Sequence, residues 1–492
     1  MSRNFMEQST SRFAPLGVGP LLLLLGLSGD LLFFDVEPGL NVSLWAAALA
    51  LAWVELRRAQ ALPLLPDERR LLWLVAALGL GWLWRENPML RVLDVLGIGV
   101  SFGLLALVAR PLPVRLTPVA VVRGGLALGG RMVAGFLPAL VEPGRAKRPG
   151  RMQHAGAVAR GALVAVPALL IFGALLGSAD QRFGHMMASM VHVDLEALAQ
   201  HTLVVLGCAW VAAALVLGTR QVEAPAVVAA EGEGVRPFGG IEVGMALGPL
   251  CLLFVAFVGF QVSYLFGGQA YVAQAQGVTL AEYARHGFFE LCMVAGLGLP
   301  FLLGLESRVA PAGRGRRFYR VLGAAFVVLL LVVMASALHR MVLYQQEFGL
   351  TADRLFATAF LGGVAVTAVW FLATALQGAT VRFMRGAIAG WVVWLVALHA
   401  VNPEAVIVRA NVARAEAGKP LDTAHLLRLG NDAAPALVAA LPRLGAAEQD
   451  SLTSGLLRRG PELPSDPRSW SLAAYRAEQS VLTLTSPVGV FR

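Results

Sequence analysis

The chain has 492 residues, of which 57% are hydrophobic and only 14% charged, with a mean hydropathy of +0.68. That is too apolar for an ordinary soluble protein and implies a bilayer as the main solvent. The net charge of +9 does not by itself point to nucleic acid, because arginines that hold loops in the cytoplasm give a membrane protein the same excess.

The polar opening "MSRNFMEQSTSRFAPLG" is too long for a cleaved signal and is expected to be retained. Crossing ~30 Å of hydrocarbon takes about 20 apolar residues in a helix that satisfies its own backbone. Stretches of this kind predict eleven spans, at 15–34, 39–56, 69–86, 89–109, 161–178, 199–218, 241–266, 287–305, 320–338, 355–376 and 386–401. Alternate connections, counted from the N-terminal tail, hold 24 Lys and Arg against 6 in the other set. This bias puts the tail and the Arg-rich loops in the cytoplasm and residues 402–492 outside.

The apolar segment 117–141 carries Arg123 and Arg131 near one helical face, the pattern of a helix lying in the cytoplasmic interface. Residues 221–240, rich in Ala, Gly and Glu, read as a flexible cytoplasmic loop. Cys208, Cys251 and Cys292 fall inside spans without metal-type spacing, so they read as small buried hydrophobes.

In "VTLAEYARHGFFEL", 278–291, Thr279 and Glu282 form a capping box that starts a helix running into the next span. Glu282, His286 and Glu290 recur every four residues, a polar stripe that must face protein or water. Past the last span, Asn402 and Pro403 start a helix over 403–417, with Glu404 complementing its dipole and Gly418 ending it. Asp422 is expected to cap 423–429, Asp432 to cap 433–441, and Asp466 with Pro467 to repeat the arrangement. The fold expected is all-α: a polytopic integral membrane helix bundle of about 11 spans over 1–401, followed by a small helical extramembrane domain over 402–492, predicted extracytoplasmic.

Several stretches carry a resemblance: "GDLLFFDVEPGLN", "LLGSADQRF", "YLFGG", "TLAEYARHGFFEL", "SALHRMVLYQQEFGLTADRLFA" and "NPEAVIVRANVARA". In these the chain resembles a bacterial family of multi-pass membrane proteins defined only as a domain of unknown function. The resemblance implies a protein of the cytoplasmic (inner) membrane and no established activity. Ala410 stands where that family usually shows a tyrosine.

Charges in or beside spans are costly, roughly 2.5 to 3.5 kcal/mol on insertion scales, and so mark candidate sites. Here they gather toward the predicted outer side: Asp30, Arg91, Asp94, Asp180, Glu282, His286, Glu290, His339, Arg340 and His399. Asp30 lies below the surface and needs a partner, for which Arg91 and Arg340 are the candidates. His185, His192 and His201 are too widely spaced for a compact ligand set. P-loop, dinucleotide-binding, HExxH and CxxC motifs are absent. No cofactor, metal or nucleic acid is implied; membrane lipid is, and an envelope protein is the expected partner of the C-terminal domain. Two readings follow: a non-enzymatic scaffold or sensor presenting an outer helical cap, or an enzyme or transporter acting on an amphiphilic, lipid-linked substrate through the outward acids.

Overall fold

A computed structural model describes residues 18–108, 195–217, 238–266, 288–310, 312–460 and 465–485. Among these the chain is helical, apart from an isolated bridge between Phe238 and Val309. The helices are α1 (Val18–Phe33), α2 (Leu40–Ala59), α3 (Pro66–Trp84), α4 (Pro88–Val108), α5 (Leu195–Leu217), α6 (Gly240–Phe266), α7 (Phe288–Glu306), α8 (Arg314–Phe348), α9 (Ala352–Ala373) and α10 (Thr380–Val401). Five shorter ones follow: α11 (Pro403–Glu416), α12 (Thr423–Leu427), α13 (Ala434–Ala440), α14 (Ala446–Arg459) and α15 (Leu472–Thr485).

Helices α1 to α10 each overlap a predicted span. Among the described residues six, namely α2, α4, α6, α8, α9 and α10, are long and apolar enough to cross a membrane. The predicted span at 161–178 and the predicted interfacial helix at 117–141 lie outside the described residues, as do the loop 221–237 and the stretch 278–287.

Two apolar cores hold the bundle. One gathers α1 to α5 around Trp53, Phe102, Leu49 and Leu105; the other gathers α6 to α9 around Tyr319, Leu330, Leu302 and Phe371. Helices α9 and α10 join them, since Phe356 and Leu395 belong to the first core while Leu361 and Phe383 belong to the second. Close approach is built into the sequence: Ser43 Oγ donates to Gly79 O across α2 and α3 at 2.7 Å, and an ideal Cβ on Gly79 would come within 2.8 Å of the Ala46 Cβ.

The end of the bundle that holds the Arg57–Arg70 turn carries two buried ion pairs. Arg57 Nε lies 3.2 Å from Glu68 Oε1, and Glu306 Oε1 accepts from Arg316 at 3.1 Å and Thr380 at 3.0 Å. The turns 34–39, 85–87 and 349–351 and the end of α10 gather at the opposite end.

Helices α11 to α15 build a third core on that opposite end, from Ile407, Val408, Val412, Leu426, Leu437, Leu452 and Leu456, with Leu350 of the α8–α9 turn inserted into it. They form a cap tied to each reversal. Leu40 N–H donates to Trp470 O at 3.0 Å, and Arg468 bonds Leu31 O, so the segment before α15 sits on the α1–α2 turn. Asn411 reads the α8–α9 turn as a backbone strand would, accepting from Leu350 N–H at 3.0 Å and donating to Leu350 O at 2.8 Å. Gly349, at φ +78°, supplies the left-handed residue that ends α8 there.

Candidate functional site: a buried polar junction beneath the cap

The α3–α4 turn carries Arg85, Glu86 and Asn87, and all three meet the cap. Asn87 starts α4 by accepting from Met89 and Leu90 N–H at 3.1 and 3.3 Å, with Pro88 at the first helical position. Asn402 does the same for α11, accepting from Ala405 N–H at 3.3 Å in a left-handed conformation, φ +58°, that asparagine tolerates. Its amide also donates to Asp432 O at 2.8 Å.

Asp432 is the hub. Its Oδ2 accepts from the backbone N–H groups of Glu86 and Asn87 at 2.7 and 3.1 Å, and its Oδ1 lies 3.1 Å from Arg85 Nη1. Asp432 is therefore not the cap of 433–441, as sequence suggested; no side-chain cap bond is made to α13. It caps the α3–α4 turn instead, because the unsatisfied N–H groups of that turn and a buried guanidinium outcompete its own helix. Asn87 Nδ2 donates to Glu404 Oε1 at 3.0 Å, Asn431 Nδ2 to Glu86 Oε2 at 2.7 Å, and Ser471 Oγ to Glu86 Oε1. Arg459 from α14 closes the rim, donating to Leu429 O at 2.7 Å and Asn431 Oδ1 at 3.3 Å.

Beneath this layer lies a second one. Arg85 Nε donates to His399 O at 2.8 Å, and His399 Nε2 lies 3.2 Å from Asp94 Oδ2 with both side chains enclosed by helices. His399 Nδ1 contacts Leu395 O at 3.0 Å. A carbonyl only accepts, so Nδ1 carries a proton, and the contact to Asp94 needs one more proton between the two groups. The pair is thus neutral overall, as a histidinium with a carboxylate or as an imidazole with a carboxylic acid. Trp84 flanks the ring at 6.0 Å between centroids, and Arg91 lies 4.9 Å over Trp82.

Burial sets the electrostatics of the upper layer. Glu404, 3% exposed, is pushed up to about 7 by desolvation and then by Asp432, against the pull of Asn87, Gly430 N–H and Arg459. Asp432 is raised above the usual carboxylate range by desolvation, less effectively because of the Glu86 amide, Arg85 and the Asn87 amide.

Residues 72–440 match the family described as Domain of unknown function (DUF4153), three quarters of the chain and the whole of the double layer except Arg459 and Ser471. The chain belongs to this family. No curated protein and no solved structure matches it.

Of the sequence-predicted site residues in this DUF4153 protein, the structure joins Asp94 to His399 and places Arg91 one turn from Asp94. Asp30 pairs with neither Arg91 nor Arg340. Its carboxylate lies 2.9 Å from His201 Nδ1, with Phe34 stacked on that ring, because α5 packs along α1 and brings the imidazole to the acid. His339 is exposed on α8 and Arg340 half-buried beside it, away from the junction. Asp180, Glu282 and His286 lie outside the described residues, and of Glu290 only its place in the first turn of α7 is described.

Sequence reasoning missed Arg85, Glu86 and Asn87 and gave Glu404 and Asp432 only local roles. One signal was present: Asn87-Pro88 repeats the Asn402-Pro403 start that marked α11.

Proposed function

We propose that this DUF4153 protein is a non-enzymatic scaffold or sensor of the bacterial envelope, and that its C-terminal cap presents a surface to a protein partner on the outer side of the cytoplasmic membrane. One observation carries the reading: the cap grips the bundle through a buried, hydrogen-bonded set of charges spanning separate chain reversals. Apolar packing alone would give adhesion. Buried ionic groups add register, at a cost in desolvation that a merely structural contact has no need to bear.

The arginine bias supports a cap on the outer side, since the turns it covers belong to the connections with 6 Lys and Arg and not to those with 24. The described helices put the end of α4 and the start of α5 at opposite ends of the bundle. Val108 ends α4 away from the cap, while His201, near the start of α5, pairs with Asp30 on the cap's side.

Co-purification with an N-terminally tagged chain after cross-linking in intact cells tests the function. A specific partner is expected with the full chain and is lost on removal of 402–492, with membrane insertion checked by reporter fusions after residues 150, 230 and 315. Recovery of the same partner by the inserted, truncated chain overturns the proposal.

A second reading, an enzyme or transporter for an amphiphilic substrate, has its own observation: Asp94 Oδ1 is buried beside His399 without a hydrogen-bond partner among the described residues. It requires that Asp94→Asn abolish the cellular function while the chain inserts and the cap stays seated. A fully functional Asp94→Asn chain excludes it.

A further inference from the structure

Glu404 is the weak point of the junction. Asp432 has a guanidinium and two backbone N–H groups for its charge, whereas Glu404, as deeply buried, has the Asn87 amide and the Gly430 N–H but no cation bonded to it, and another carboxylate as its neighbour. The charged groups on the packed elements are otherwise engaged. Arg85 bonds Asp432 and His399 O, Glu86 bonds Asn431 and Ser471, His399 is held by Asp94, and Arg91 lies over Trp82. Arg459 acts on Glu404 only at a distance, its own bonds going to Leu429 and Asn431. The α9 residues packed against the core of the cap, Ala352 and Leu355, carry no charge.

We propose that Glu404 is a proton-operated latch: protonated, it lets the cap seat on the α3–α4 turn, and ionised, it repels Asp432 and loosens the cap. The inference rests on reading the cap as the partner-presenting part, and adds that acidity at the cap's surface controls how firmly that part is held. Burial beside a like charge favours the neutral carboxyl, and the value of about 7 puts the change within the range an envelope meets.

Hydrogen exchange of the Glu86 and Asn87 amides, both donors to Asp432, reads the latch in the full chain in detergent. Protection factors, corrected for intrinsic exchange, are expected to fall at least tenfold between pH 5 and 8.5 with a midpoint near 7, and to stay high and flat in Glu404→Gln. Should Glu404→Gln fail to fold, Arg459→Gln is decisive. Removing that cation disfavours the carboxylate, so the midpoint must move upward. Flat protection in the wild type, the same titration in Glu404→Gln, or an unmoved midpoint in Arg459→Gln overturns the latch. Its failure leaves the cap-dependent partner result untouched, and a normal titration in a chain whose partner binds without the cap overturns only the function.

Discussion

Gly81 leaves no room for a side chain beside the lower layer. An ideal Cβ there would stand 2.6 Å from Asp94 Oδ2 and 2.9 Å from His399 Nε2. Because Asp94 is held by α4 and His399 by α10 while Gly81 lies on α3, Gly81→Ala is expected to part them and cost about 1 to 3 kcal/mol, read as a lower Tm in detergent. Arg85 carries more. Its Nε and Nη1 bond different partners, His399 O and Asp432, and a lysine cannot reproduce that fork. Arg85→Ala leaves Asp432 buried without its cation, at a cost of about 3 to 5 kcal/mol. Faster proteolysis of the segment after Val401, with α1 to α10 still protected, would report that loss.

At the level of elements, α8 sets the height of the cap. Its 35 residues measure about 52 Å at ~1.5 Å per residue, against ~30 Å of hydrocarbon. Taken as a span centred on its apolar residues, α8 leaves the polar stretch 339–348 beyond the bilayer, at the end where Glu347 meets Lys419 at 3.0 Å and Arg414 donates to Glu347 O. A cysteine at Glu347 should react with a membrane-impermeant maleimide added on the cap's side, and one at Val328 should not. Hydropathy ended this span at 338 because "HRMVLYQQEF" is polar. The helix continues because nothing in that stretch breaks it before Gly349. The starts at Asn402, Asp422 and Asp466 were legible for the opposite reason: an N-cap is a contact within one turn of chain, and each of these side chains makes it. Asp432 and Asp30 were misread because their partners are hundreds of residues away in sequence or sit on a helix whose packing no local pattern specifies.

For the whole molecule, linkage fixes the sign of the response to pH. Glu404 takes up its proton near 7 when the cap is seated and near 4.5 in an unfolded chain. Between those values the folded state binds more protons, so this group's contribution is most favourable below about 4.5 and declines as pH rises toward 7. The full change is on the order of 3 kcal/mol at roughly 1.4 kcal/mol per unit. Chemical denaturation of the full chain at pH 5 and pH 8 should show the wild type losing stability at the higher value and Glu404→Gln losing much less.

The placement of the cap also imposes an order on biosynthesis. If the bundle is a multi-pass one, as we propose, the reversals at 34–39, 85–87 and 349–351 are made before residues 402–485 have left the ribosome. Until then Arg85, Glu86 and the Leu350 amide have only water or lipid headgroups for company. A nascent protein stopped short of its final helices would keep those ends open, so that quality-control proteases could tell finished molecules from unfinished ones by touch.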